Sequence, residues 1–265
     1  LHRPPRTPAD RHPHCHWTIT IDEANDPVGS VPLTDLVAAL PLAAVPNPRP
    51  ADGGEGGRRD YAGPFDPTFR LADLSSAALA AAAREFQVQA HLLMCSSELT
   101  LSERFDAEVA RDVIGNAWAG AGWIASERMA RALDAPASAA GLAAVLAHHP
   151  MLPPGFRTRL ETDGDRLHLE LAPVTDGLLD PDHPGWCGAL ARGDRRGIAA
   201  MVQGADRHAE LAALAVTDDA VVVDVLRNAS ADPAPEPDIV ALVRIGMVST
   251  WSFDRADPVA GPTRR

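Results

Sequence analysis

The chain has 265 residues, 46% of them hydrophobic and 23% charged, enough for one large core or two small ones. Its 24 cationic side chains are all arginine and stand against 36 carboxylates, a net charge of −12. Without lysine there is no Schiff-base chemistry, no lysine-bound pyridoxal phosphate and no phosphate-loop nucleotide site, and the acidic balance argues against nucleic acid as a partner. Three widely spaced cysteines, Cys15, Cys95 and Cys187, point to reduced thiols and a cytoplasmic setting rather than a disulfide framework. No apolar run reaches the length a membrane span needs, so no membrane partner is expected.

In chain order, residues 1–62 read as an N-terminal extension. It holds a proline-rich start, a short alternating strand at residues 17–21, a helical turn over residues 35–40, and a Pro/Gly-rich linker over residues 41–60. His12, His14, Cys15 and His16 crowd together in this extension. Imidazole and thiolate suit a transition metal, although a lax tail that picks up metal adventitiously has the same composition. A helical region over residues 63–150 follows. Ser75 and Ser76 supply caps for a helix reaching about Phe105; a second runs from about Ala107 to Leu133 and a third from Ser138 to His148.

From Phe156 the period changes to two, opening a third region over residues 151–265. Residues 157–161 and 166–172 flank Thr-Asp-Gly-Asp as one hairpin, and residues 210–216 and 220–226 flank Asp218-Asp219 as another. Between them residues 186–203 read as one helix, and residues 239–244 with 247–253 as one or two further strands. Helices first and antiparallel hairpins after give an α+β fold, with the sheet region packing on the helices.

The first long helix carries the candidate site. At 100° per residue, Arg84, Gln87, His91, Cys95, Glu98 and Ser102 form one line between two apolar arcs, one of Leu79, Phe86, Ala90, Leu93, Met94 and Leu101, the other of Ala81, Val88, Leu92 and Leu99. Such a row has to meet a cavity, a ligand or another polar surface, because buried polar groups without partners cost about 1–3 kcal/mol each. In a catalytic reading His91 is general acid or base, Glu98 orients it, Cys95 is nucleophile or bystander, and Arg84 and Gln87 hold substrate. In a structural reading the row is a buried hydrogen-bond network. On the second helix, Val109, Val113, Ile114, Ala117, Ala121, Ile124 and Ala125 form the apolar face. Beside it Asp112, Asn116, Trp123 and Glu127 form a neighbouring row, placed to meet Arg84 and His91 if the helices face each other. Gly115, Gly120 and Gly122 there imply a ligand or a closely approaching backbone.

The runs DLSSAALAAAAREF (73–86), ERFDAEVARDVIGNAW (103–118), GWIASERMARAL (122–133) and DGDRLHLELAPV (163–174) resemble the L-2-amino-thiazoline-4-carboxylate hydrolase-like family over residues 65–215. The resemblance implies a bacterial protein handling a small molecule, a hydrolase of a carboxylate-bearing C–N or C–S compound. It assigns no residue role, since the C-terminal half keeps only Cys187. A non-catalytic ligand-binding or sensor domain, and an accessory subunit of a larger complex or a homo-oligomer, are the alternative expectations.

Overall fold

A computed structural model describes residues 29, 31–46, 56–60, 66 and 68–244. The expected strands at 17–21 and 247–253 and the His12–His14–Cys15–His16 cluster lie outside these residues. The fold is α+β. Helix α1 (Pro32–Ala38) leads into a 3-10 turn (Pro41–Ala44), then come α2 (Ser76–Ser102), α3 (Ala107–Ala132) and α4 (Ala139–Ala147). Strands β1 (Phe156–Asp163) and β2 (Arg166–Pro173), helices α5 (Gly185–Ala191) and α6 (Arg196–Ala205), strands β3 (Ala209–Val216) and β4 (Val221–Arg227), and α7 (Asp238–Arg244) complete it.

Capping serines start two of the helices: Ser75 Oγ accepts from the Ala78 N–H and Ser138 Oγ from the Gly141 N–H, both at 3.2 Å. The four strands form one antiparallel sheet in the order β1-β2-β4-β3. Its inner face, Leu167, Leu169, Leu171, Val221, Val223 and Val225, is buried in one core with Leu142 and Leu146 of α4, Ile198 and Met201 of α6, and Trp118 and Trp186. The sheet therefore shares the main hydrophobic core with α3, α4, α5 and α6.

Four expectations are corrected. The single helix over residues 186–203 is two, because Gly193 (φ +74) ends α5: its N–H bonds Leu190 O and the Asp194 N–H bonds Ala189 O, the paired bonds of a left-handed helix stop. The expected strand over residues 239–244 is helix α7. Its β-branched residues pack sideways, with Val240 buried among Ala119, Trp123, Ile124 and Ala200 and Ile239 against them, so tertiary packing overrides their strand preference. Part of the expected linker is packed as well: Leu42 is fully buried against Cys95, Leu178 and Cys187.

The fourth correction concerns which helix faces turn inward. On α2 the buried residues are Ala78, Val88, His91, Cys95 and Glu98, whereas Phe86 and Leu93 are 63% and 60% exposed. On α3 Val109 and Val113 are exposed, and the buried face runs instead through Ile114, Trp118, Gly122 and Ser126.

Candidate functional site

From Gln87 to Glu98 the polar row of α2 turns inward, while Arg84 and Ser102 at its ends are exposed, and the inward members take different partners along the helix. The Gln87 amide donates to Leu152 O at 2.7 Å. His91 Nε2 donates to Pro150 O at 3.4 Å, its ring meets Trp186 edge-on with centroids 4.7 Å apart, and its buried Nδ1 has no hydrogen-bond partner. The Cys95 thiol donates to Pro184 O at 3.2 Å, and a Glu98 oxygen accepts the Gly185 N–H at 2.6 Å. Gly185 is required at that spot. Its φ is +75, and a Cβ there would sit 3.0 Å from Cys95 Sγ.

The inward row thus bonds the backbones of two proline-rich loops, residues 148–155 and 174–184. Proline has no N–H, so such loops cannot satisfy their carbonyls in regular ladders and draw on side-chain donors. Trp118 Nε1, on Met151 O at 2.9 Å, is another such donor.

This arrangement does not place His91, Cys95 and Glu98 as a catalytic set. Glu98 does not orient His91; beyond the Gly185 N–H, its other neighbours are the guanidiniums of Arg111 at 4.0 Å and Arg192 at 3.9 Å. Burial pushes the Cys95 thiol up to about 12, with the Glu98 charge adding to the shift, so it is not a thiolate near neutrality. Burial pushes His91 down to about 3, and it stays neutral. None of the three lines the groove described below.

Nor do the second-helix residues meet Arg84. Asp112 pairs with the Arg196 guanidinium and accepts from the Asn116 amide, while Glu127 pairs with Arg131 at 3.0 Å. Trp123 lies in the cluster under α7 with the Arg207 guanidinium 6.0 Å from its ring. The glycines explain the orientation. A Cβ on Gly115 would collide with the Arg196 side chain, and one on Gly122 would lie 2.9 Å from Met201 Cγ. They let α6 pack closely on that side of α3, which turns the row away from α2.

Arg84 and Gln87, at the N-terminal end of the row, are placed differently. They line a groove of about 720 Å³ between α2, the end of α4, the loop 148–155 and the start of β1. Its other polar lining residues are His148, His149, Arg157 and Thr158, and among the described residues no Asp or Glu contributes. Arg84 and Arg157 are both exposed and have no carboxylate partner among the described residues. In a chain of net charge −12, a lining with two unpaired guanidiniums and no acid is a local reversal of sign.

Sequence reasoning missed the Ser126–His149 pair behind this groove, since nothing in the spacing of these residues announces it. His149 Nε2 lies 2.9 Å from Ser126 Oγ, a nucleophile–base distance. The polarity is reversed, however. His149 Nδ1 accepts the Met151 N–H at 3.1 Å, so the neutral ring carries its proton on Nε2 and cannot take one from the serine there. Burial also pushes His149 down to about 3. Ser126 is fully buried, and the pair is a structural tie.

Among the described residues no group of three or more His, Cys, Asp or Glu is placed to hold a metal ion, and no helix is long and apolar enough to cross a membrane. No family model, curated protein or solved structure matches the chain.

Proposed function

We propose that the protein binds a small organic carboxylate in the groove at the N-terminal half of α2, and that it does so as a ligand-binding rather than a catalytic domain. One observation carries this reading: Arg84 from α2 and Arg157 from β1 line the same groove, with no ion-pair partner and no lining carboxylate among the described residues. A guanidinium presents its donors as a planar fork that matches a carboxylate in two parallel bonds. The groove volume falls within the roughly 300–1,000 Å³ of sites that take small ligands. Gln87 keeps one amide N–H and its carbonyl for the ligand after bonding Leu152 O.

Binding is preferred over hydrolysis because neither Cys95 nor the Ser126–His149 pair supplies a nucleophile to the groove. Cys95 is sealed in the core, and His149, although it lines the groove, directs its proton at Ser126. The family resemblance agrees with a carboxylate-bearing ligand and adds a substrate to try.

The test is calorimetric titration with a panel of monocarboxylates, dicarboxylates and L-2-amino-thiazoline-4-carboxylate, repeated on Arg84→Gln and Arg157→Gln. At least one carboxylate should bind, each substitution should weaken it tenfold or more, and added salt should weaken it further. Absence of binding across the panel, or affinity indifferent to both arginines, overturns the proposal. Release of free thiol from the thiazoline would restore the hydrolase reading.

A further inference from the structure

The wall that shares the groove with the arginines says what the rest of the ligand is. The loop 148–155 that forms it carries Pro150, Pro153 and Pro154, none of which has an N–H to offer. Two of its N–H groups are spent: Met151 on His149 Nδ1, and Leu152 on His149 O. Several of its carbonyls are taken as well. Pro150 O accepts from His91, Met151 O from Trp118, Leu152 O from Gln87, and Gly155 O from the Val174 N–H at 2.7 Å.

A stretch of irregular backbone would ordinarily present polar groups to a groove. Here it presents proline rings, together with Val45, Leu146, Leu152, Phe156 and Val174 from neighbouring elements. Water against such a wall finds few partners, and an apolar group displaces it with gain. Val45 and Pro46 close one side. Gly155 (φ +83) brings the loop against them, since a Cβ there would meet Val45 Cγ2 at 2.7 Å.

From this juxtaposition we infer that the ligand is amphiphilic: a monocarboxylate whose head meets Arg84 and Arg157 and whose apolar body, a medium-length alkyl chain, lies along the proline wall. The inference rests on the carboxylate-binding reading and adds the body to the head. A dicarboxylate of similar length would bring a second charge against a mainly apolar wall, and desolvating that charge is unfavourable.

The experiment compares butyrate, octanoate, suberate and octanol, each well below its aggregation concentration, by calorimetry on the full chain. Octanoate should bind at least tenfold more tightly than butyrate, a cautious fraction of what burying four further methylenes provides. It should also exceed suberate and octanol by tenfold or more, and lose its advantage over butyrate in Leu152→Ser or Val174→Ser, which put a hydroxyl on the wall. Because Leu152 is buried, thermal melting checks that variant for folding; Val174 is exposed, and its variant stands alone if the first unfolds. Equal affinity for butyrate and octanoate, or preference for suberate, overturns the apolar body and leaves the carboxylate reading standing. Octanol binding as well as octanoate, with no effect of Arg84→Gln, overturns both.

Discussion

The two halves of α2 carry the same kind of polar row and meet opposite environments. From Arg84 to Gln87 the row opens onto a groove; from His91 to Glu98 it is sealed under α5 and the loop that precedes it, with His91 only 1% exposed. The residues with the richest chemistry, an imidazole, a thiol and a carboxylate, fall in the sealed half. Burial there takes away the protonation states that the imidazole and the thiol would need for catalysis and leaves hydrogen bonding. An arginine and a glutamine, with less reactive side chains, hold the open half and are the ones placed to meet a solute. Residue type marks a candidate, and solvent access decides whether its chemistry can be used.

The contrast predicts its largest single-substitution effect at Glu98. Glu98→Ala leaves the buried Gly185 N–H without an acceptor and removes the carboxylate between Arg111 and Arg192. The expected loss is about 3 kcal/mol of unfolding free energy, read from urea denaturation with unchanged slope. A loss below about 1 kcal/mol would mean that the sealed half is not a structural tie.

A second effect follows from the buried imidazoles. His91 and His149 are held near 3 in the fold against an ordinary value of 6.5, because burial disfavours their charged forms. Between those values the unfolded chain binds protons that the native chain refuses, so acid favours unfolding. Their neutral-state stability is complete above about pH 6.5 and falls as the pH drops, by about 1.4 kcal/mol per pH unit for each ring, or about 4 kcal/mol for the two at pH 5. Denaturation measured between pH 7 and pH 4.5 checks this. In His91→Leu, which removes one titrating ring and its unpartnered nitrogen, the slope should flatten by about 1.4 kcal/mol per unit. An unchanged slope would place that imidazole in contact with water.

Much of this was legible in the sequence. Serine caps, alanine-rich helices, both hairpins and the α+β order follow from local signals, and the inward turn of the polar row follows from its spacing. What the sequence concealed depends on long-range packing. Phe86 and Leu93 match an apolar arc, yet none of the described elements covers them. In a helix so rich in alanine the hydrophobic contrast between faces is small, and Leu42 and Gly185 packing on Cys95 decide which side is buried. Asp112, Asn116, Trp123 and Glu127 were matched to α2 because the spacing cannot say which neighbour the α3 glycines admit; it is α6. The groove was half legible. Arg84 and Gln87 were in the row, while Arg157 comes from a hairpin more than 70 residues on, which no local pattern ties to α2.

The smallest stability effect is the most discriminating. Arg84 sits in the same line of α2 as Glu98, is exposed, and has no ion-pair partner among the described residues, so Arg84→Gln should change the unfolding free energy by less than about 0.5 kcal/mol. Glutamine keeps helix propensity close to that of arginine, which leaves the lost charge as the main change. If Arg84→Gln unfolds the chain as readily as Glu98→Ala, the row is one continuous structural network and the groove has no special standing. If Arg84→Gln melts like the parent protein while losing carboxylate affinity, the two halves of the helix are separable. A residue that contributes to binding and not to stability is what a ligand site requires.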